Sequence, residues 1–222
     1  MPACAVVPLP HNVSFEQGAG IGVPYMTAWA ALVNTARVMS GETVLITGTA
    51  GSVGSIAAWI AHRQGARVLG TVRSASDLER VGKLPVDAWI DLQKTGLAEG
   101  VRAATSGRGV DVSFDVIGGA MFEKCLQSLA WRGRQVSIAS APEPRVEFSL
   151  VDFYHNESRL FGFDSLKLGF EEAGGILRSL AQAIESGELP LPKVEAYPLA
   201  QAPQLYRDMA ASALRGKPVL VP

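Results

Sequence analysis

Cysteine is scarce in this chain. Cys4 and Cys125 are the only two in 222 residues and lie too far apart to form a paired spacing. That excludes a disulfide framework and a cysteine-based zinc knuckle, and makes a reducing cytoplasm the expected compartment. Net charge is nearly absent, at -1, so there is no bulk attraction to nucleic acid or to an anionic membrane. No apolar run approaches the length of a membrane span. The opening MPACAVVPLP lacks both the basic start and the long apolar core of a signal peptide. His11, His62 and His155 are scattered, and a catalytic zinc normally takes three protein ligands, so no metal is expected. Internal repeats and low-complexity tracts are missing too. What remains is 48% hydrophobic and 18% charged, an ordinary globular composition long enough for one sizeable core, or one domain with an appendage.

The order of elements is more informative. Residues 44–47 read as a buried strand and residues 52–64 as a helix with an apolar face on Val53, Ile56, Ala57 and Ile60. ARVLGTV is the next strand, and Ser76 is the expected N-cap of a short helix ending at Val81. DAWIDL follows as an apolar segment, then a helix over 95–105, the strand GVDVSFDV, a helix over 120–129 and the strand RQVSIAS. SRLFGFDS suits one more strand, before a long helix over 170–186. Strand and helix alternate through short Gly-rich joints, the pattern of an α/β fold with a doubly wound parallel sheet. Both ends break it: residues 1–24 are Pro- and Gly-rich without a strong period, and residues 189–222 are Pro-rich around a helix near 201–214.

The candidate site is VLITGTAGSVGS, residues 44–55. A dinucleotide pyrophosphate needs a tight turn after the first strand, a backbone without Cβ interference, and helix N–H groups aimed at the anion. Gly48 and Gly51 supply the turn and the close approach, Gly54 lets the helix pack on the strand, and Ser52 opens the helix. Read as G-x-G-x-x-G the motif fails, because Thr49 occupies the first glycine position. At the end of the next strand an NAD-preferring site carries an acidic residue for the ribose hydroxyls. Here Arg73 and Ser74 stand in that place, a cation and a hydroxyl suited to a 2′-phosphate, with Asp77 shortly after as an argument for NAD.

These segments resemble the medium-chain dehydrogenase/reductase superfamily, in its zinc-free quinone oxidoreductase branch. VSFEQGAGIGVPYMTAWAAL is similar to the family's entry into the cofactor domain, and GETVLITGTAGSVGSIAAWIAHRQGARVLGTV to its nucleotide turn, where A/G-x-x-G-x-x-G is common. SGRGVDVSFDVIGG, LAWRGRQVSIAS and GKPVLVP match in the same order, so the resemblance covers essentially the whole chain. It implies a Rossmann domain that binds NADPH in preference to NADH, serving hydride transfer to a quinone or an α,β-unsaturated carbonyl. Carried over by position, Thr27 matches a threonine beside the nicotinamide, the alternative being a helix-start cap. Ala50, Gly51, Ser52, Val53 and Gly54 match the pyrophosphate turn, and Arg73 and Ser74 the adenosine-phosphate region. Ile117 and Gly118 follow the fourth strand, and Ala139 and Ser140 the fifth. Asp115 either orients the loop after its strand or caps the next helix.

Several positions depart from the family. Asp77 replaces a common lysine, Leu92 replaces a tyrosine over the adenine, and Val23 stands where zinc-dependent relatives place a cysteine ligand. No side chain is singled out as catalytic, and Cys125 reads as a core residue. Relatives begin with a GroES-like catalytic barrel, most of which this sequence lacks. The resemblance therefore implies residues 1–23 as the end of that domain's first pass, 24–165 as the NADP-binding domain, and 166–222 as a junction helix and return segment. Two readings follow: an NADPH-dependent oxidoreductase represented by its cofactor-binding region, or a non-catalytic dinucleotide-binding module completed by a partner. The strand in SRLFGFDS is expected at a sheet edge that pairs across a homodimer axis, and apolar surface is expected to be exposed near Tyr25, Trp29 and the C-terminal segment.

Overall fold

The computed structural model describes residues 2–81, 83–140, 144–211, 213–214 and 216–222, the side chains at 75 and 80 excepted. The chain divides into two compact units, one of Thr27–Lys167 and one of Met1–Met26 with Leu168–Pro222.

The first unit is a six-stranded parallel sheet. Its strands are β1 (Thr43–Ile46), β2 (Arg67–Val72), β3 (Ala88–Asp91), β4 (Val110–Asp115), β5 (Leu129–Ser137) and β6 (Arg159–Gly162). They lie in the order β3-β2-β1-β4-β5-β6, all parallel, which is the Rossmann order. Near-continuous burial explains the apolar sequence of β1, since a strand covered on both faces has no polar side to show. Leu45, Leu69 and Ile90 form one core cluster with Leu97 and Val101 of α4 (Leu97–Ala104) and with Phe122, Cys125 and Leu126 of α5 (Phe122–Leu126). Between β1 and β2, α2 (Ser52–Arg63) touches both strands and buries Ile56, Ala57 and Ile60. The order reverses between β1 and β4, the switch point at whose carboxyl ends open α/β sheets bind their ligands.

Several expected boundaries shift for local reasons. α3 spans Ala75–Val81, and Ser74, not Ser76, caps it: its hydroxyl accepts from the Asp77 N–H at 3.1 Å. The helix expected over 120–129 shrinks to a 3₁₀ turn and α5, because Leu129 already pairs with Val110 as the start of β5. Residues 130–133 then bulge before pairing resumes at Arg134↔Val112, with Arg132 at φ 61°. Arg134 itself reaches across to Glu42 (2.7 Å) and to the carbonyls of Ala36 and Arg37. A further short helix, α6 (Leu150–His155), is capped by the Ser149 hydroxyl.

The N-terminal stretch is not aperiodic in structure. α1 covers Phe15–Trp29 and continues as a π-helical run over Ala30–Thr35. Ser14 and Gln17 close a capping box, with Gln17 N–H donating to the Ser14 hydroxyl and Ser14 N–H to Gln17 Oε1. Three glycines and Pro24 hide this helix from a periodicity reading.

In the second unit, α7 (Phe170–Glu185) buries Ile176, Leu180, Ala183 and Ile184. β7 (Glu195–Pro198) pairs in parallel with β8 (Pro218–Val221), and α8 (Ala202–Ala210) lies between them in sequence. α8 is shorter than the helix expected over 201–214, of which residue 212 lies outside the described residues. Tyr25, expected near exposed surface, is buried at 4% exposure, its hydroxyl donating to the Pro190 carbonyl at 2.7 Å. Within the sheet unit Trp29 is buried at 8%, with the Arg63 guanidinium 5.5 Å from its ring centroid. Tyr206 and Met209 of α8 are exposed.

Candidate functional site

β1 ends at Ile46, and the chain then turns through Thr47–Ala50 into α2. Gly48 takes φ +57°, a left-handed conformation that a side chain disfavours. Gly51 is the N-cap of α2 and has no side chain to satisfy the first turn. Gly54 lies so close under the Gly48 carbonyl and Thr49 Cα that a Cβ there would collide with backbone. The turn is therefore shaped for close approach, with the first N–H groups of a 12-residue helix directed outward and no acidic residue in its first turn.

Thr49, the apparent blemish in the motif, is a structural bolt. It is fully buried. Its hydroxyl donates to the Ile46 carbonyl at 2.7 Å and accepts the Thr71 N–H at 2.9 Å, joining the ends of β1 and β2. Thr71 returns the favour through its own hydroxyl, which accepts the Gly48 N–H at 3.1 Å. A glycine at position 49 would leave these buried groups without partners, which costs about 1–3 kcal/mol per group.

A second bolt joins β1 to β4. Asp115 is fully buried. Its Oδ1 accepts the Thr47 hydroxyl at 3.0 Å and the N–H groups of Ile117 and Gly118 at 3.1 and 3.0 Å. The Thr47 oxygen in turn accepts the Val116 N–H at 3.0 Å. Of the two roles open to Asp115, the structure selects the first: it orients the loop after β4. Asp115 Oδ2, Ser113 Oγ and Gln135 Oε1 are buried without hydrogen-bond partners in the protein.

The loop after β5 closes the set. Gly118 has φ +69°, ψ −155°, and a Cβ on it would collide with the Ala139 carbonyl. The Gly119 N–H donates to the Ser140 hydroxyl at 3.3 Å. Ala50, Gly51, Ser52, Val53 and Gly54 on the turn, Ile117 and Gly118 after β4, and Ala139 and Ser140 after β5 thus belong to three loops at one end of the sheet. Ile117 and Val116 side chains line the space beside Gly48.

Arg73 and Ser74 follow β2, next to Thr71 in sequence. Arg73 is exposed, and its Nε lies 3.8 Å from Asp77 Oδ2. Ser74 is occupied by α3 capping and by a 2.9 Å contact with the Ser76 hydroxyl. Leu92, at the position of the family's tyrosine, packs against the core cluster. Thr27 falls in the last turn of α1 and so is no helix-start cap. It is 5% exposed, and its hydroxyl has no hydrogen-bond partner in the protein.

These residues fit a dinucleotide. The turn opens a helix whose N-cap has no side-chain bond, its glycines stand where a Cβ would crowd the turn, and the Thr27 hydroxyl is buried without a protein partner. They do not form a nucleophilic site. Burial, together with the nearby Asp115 charge, pushes the Cys125 thiol far above its usual range and keeps it protonated. Among the described residues no group of three or more His, Cys, Asp or Glu side chains is placed to hold a metal, and none of the helices is long and apolar enough to cross a membrane. The sequence reading missed Thr47, Thr49 and Thr71 as site builders. A signal was present, since two apolar strands, VLIT and VSFD, both end on a polar residue.

Known proteins share this architecture. The profile of the zinc-binding dehydrogenase family matches residues 52–181. The quinone oxidoreductase of Rattus norvegicus is 30% identical over 218 residues, spanning 96% of this chain and 65% of the rat protein. The crystal structure of the quinone oxidoreductase of Pseudomonas syringae pv. tomato DC3000 superposes with TM-score 0.89 at 28% identity, over 100% of this chain and 69% of that one. CurK enoyl reductase superposes with TM-score 0.84 at 26% identity, over 99% of this chain and 66% of that one. The chain thus spans about two thirds of the length of these relatives. It belongs to the zinc-binding dehydrogenase family of the medium-chain dehydrogenase/reductase superfamily, in the quinone oxidoreductase-like branch, and membership implies binding of a nicotinamide dinucleotide.

Proposed function

We propose that this chain is the cofactor-binding region of an NADPH-dependent reductase acting on quinones or α,β-unsaturated carbonyls. The observation that carries the reading is the glycine turn into α2, bolted by Thr49, with the Asp115-held loop after β4 beside it and the loop after β5 against that one. Ser52, Val53 and Gly54 bind the pyrophosphate through backbone N–H groups, with Ala50 and Gly51 shaping the approach. Ile117 and Gly118 lie where the chain passes the cofactor, Ala139 and Ser140 near its nicotinamide half, and the Thr27 hydroxyl suits a hydrogen bond to the carboxamide or ribose. Arg73 and Ser74 meet the adenosine phosphate and favour NADPH over NADH, with Asp77 opposing that preference. The reduced nicotinamide is the two-electron donor of such reactions. The chain's own contribution is binding, orientation and exclusion of water, and no side chain is assigned as an acid or base.

Residues 1–23 and 166–222 belong, in this reading, to the substrate side of the enzyme, and residues 24–165 form the cofactor domain. β6 lies at an open sheet edge with Leu160 partly exposed, which supports a homodimer built by pairing of that edge. The cytoplasm is the proposed compartment. A second reading, a dinucleotide-binding module completed by a partner, is favoured by the two-stranded β7–β8 sheet, since isolated pairs of strands are marginal in water.

The deciding experiment is titration of the chain with NADPH and NADH by fluorescence, paired with quinone and enone turnover. Tight NADPH binding with turnover supports the reductase, and tight binding without turnover supports the module. Failure to bind either nucleotide overturns both.

A further inference from the structure

Helix α1 contains Pro24 in its interior. In an α-helix each carbonyl accepts the N–H four residues later, so the Gly20 carbonyl should accept from position 24. Proline has no N–H, and an interior proline leaves that carbonyl without its helical partner. The partner comes from the far end of the chain. Lys217, immediately before β8, donates from Nζ to the Gly20 carbonyl at 2.7 Å, across 197 residues of sequence. Burial lowers the Lys217 ammonium below its usual range, so the side chain is held in place at a real desolvation cost, which an ordinary solvated lysine avoids.

The surroundings support a built contact. A Cβ at Gly20 would lie 2.9 Å from Val194 Cγ1 and 3.0 Å from Pro192 Cγ, so glycine is needed for the return segment to approach. One residue beyond Pro24, the buried Tyr25 hydroxyl donates to the Pro190 carbonyl at 2.7 Å. Gly20 and Tyr25, on either side of Pro24 in sequence, thus both meet the return segment, Gly20 at Pro192, Val194 and Lys217 and Tyr25 at Pro190.

We propose that Lys217 is a positioning residue that substitutes for the backbone donor missing at Pro24, holding α1 continuous across its proline. The same helix carries Thr27 in its last turn. Lys217 and Pro24 form a matched pair: the lysine is needed because the proline is there.

That dependence makes the inference testable without any nucleotide. Wild type, K217M, P24A and K217M/P24A are compared in the full chain by hydrogen exchange of α1 amides and by thermal melting. In the proline background K217M should speed exchange of the amides around the proline by about tenfold and lower the melting midpoint by about 5 °C. In the P24A background the alanine N–H reaches the Gly20 carbonyl, and the same lysine change should cost less than about 2 °C. K217R keeps a donor and should restore most of the protection in the proline background. Should P24A fold poorly, the K217M and K217R pair decides, with equal exchange in the two overturning the role. Equal losses from K217M with and without the proline overturn it as well.

Discussion

At the glycine turn after β1, Thr47, Thr49, Thr71 and Asp115 tie the ends of β1, β2 and β4 together through hydrogen bonds. At the end of β2, Arg73, Ser74 and Asp77 make local contacts within one helical turn, at the surface. The first region is over-determined, because each buried donor or acceptor that lost its partner would pay desolvation with nothing in return. The second is less firmly held, because Arg73 is exposed and 3.8 Å from Asp77, and a surface ion pair is worth only about 0–1 kcal/mol and is screened by salt. The residues at the end of β2 can therefore change while the turn geometry is kept, since the two regions answer to different energies.

The largest effects should come from breaking the bolted region. Gly118→Val places a side chain against the Ala139 carbonyl at a backbone geometry that only glycine adopts readily. NADPH affinity should fall about a hundredfold or more, equivalent to about 3 kcal/mol, with far-ultraviolet dichroism checking that the sheet survives. An affinity within threefold of wild type would refute the crevice as placed here. Asp115→Ala removes the acceptor for the Thr47 hydroxyl and two loop N–H groups. It should cost about 2–4 kcal/mol of unfolding free energy in denaturant titration. Thr49→Val keeps the shape but drops both hydrogen bonds, and should cost about 1–3 kcal/mol.

Changes at the loosely held end should be smaller and should sort by nucleotide. Arg73→Ala should weaken NADPH about five- to tenfold and leave NADH nearly unchanged, whereas Asp77→Asn should tighten NADPH about threefold. Both differences should shrink as salt is raised. Equal effects on the two nucleotides would remove the 2′-phosphate assignment.

The smallest expected effect lies at the other end of the sheet. Burial pushes the Asp111 carboxyl up, but the Arg108 guanidinium and the Thr43 N–H outweigh it and hold the group below its ordinary value of 3.8. A carboxyl with a lowered folded-state value adds stability above its unfolded value and loses it as pH falls through the folded one. Asp111→Asn should therefore lower stability slightly at neutral pH and flatten the acid limb below about pH 4.

How much of this was visible in the residues varies with distance along the chain. The strands, the glycine turn and α7 were legible because each is encoded within a short window: buried strands as apolar runs, helices by their period. α1 was missed because glycines and Pro24 blur its period, although Ser14 and Gln17 carried a capping-box signature. Ser76 is the cap expected from the sequence, whereas Ser74 does the capping; with serines two residues apart only backbone geometry decides between them. Exposed apolar surface is expected near Tyr25 and Trp29; both rings are themselves buried, while Val23 close by in sequence is exposed. Their partners, the Pro190 carbonyl for Tyr25 and the Arg63 guanidinium for Trp29, lie far away in sequence.

By itself the sequence determined the alternation of strands and helices, the Gly48–Gly54 turn and the family, since these depend on propensity, period and local spacing. Only the tertiary structure decided what Thr49 does, how Asp115 shapes the loop after β4, and why Lys217 belongs with Pro24. Those roles rest on hydrogen bonds spanning 22, 68 and 197 residues. A donor and an acceptor that distant become partners only once burial has removed the water that would otherwise satisfy each of them.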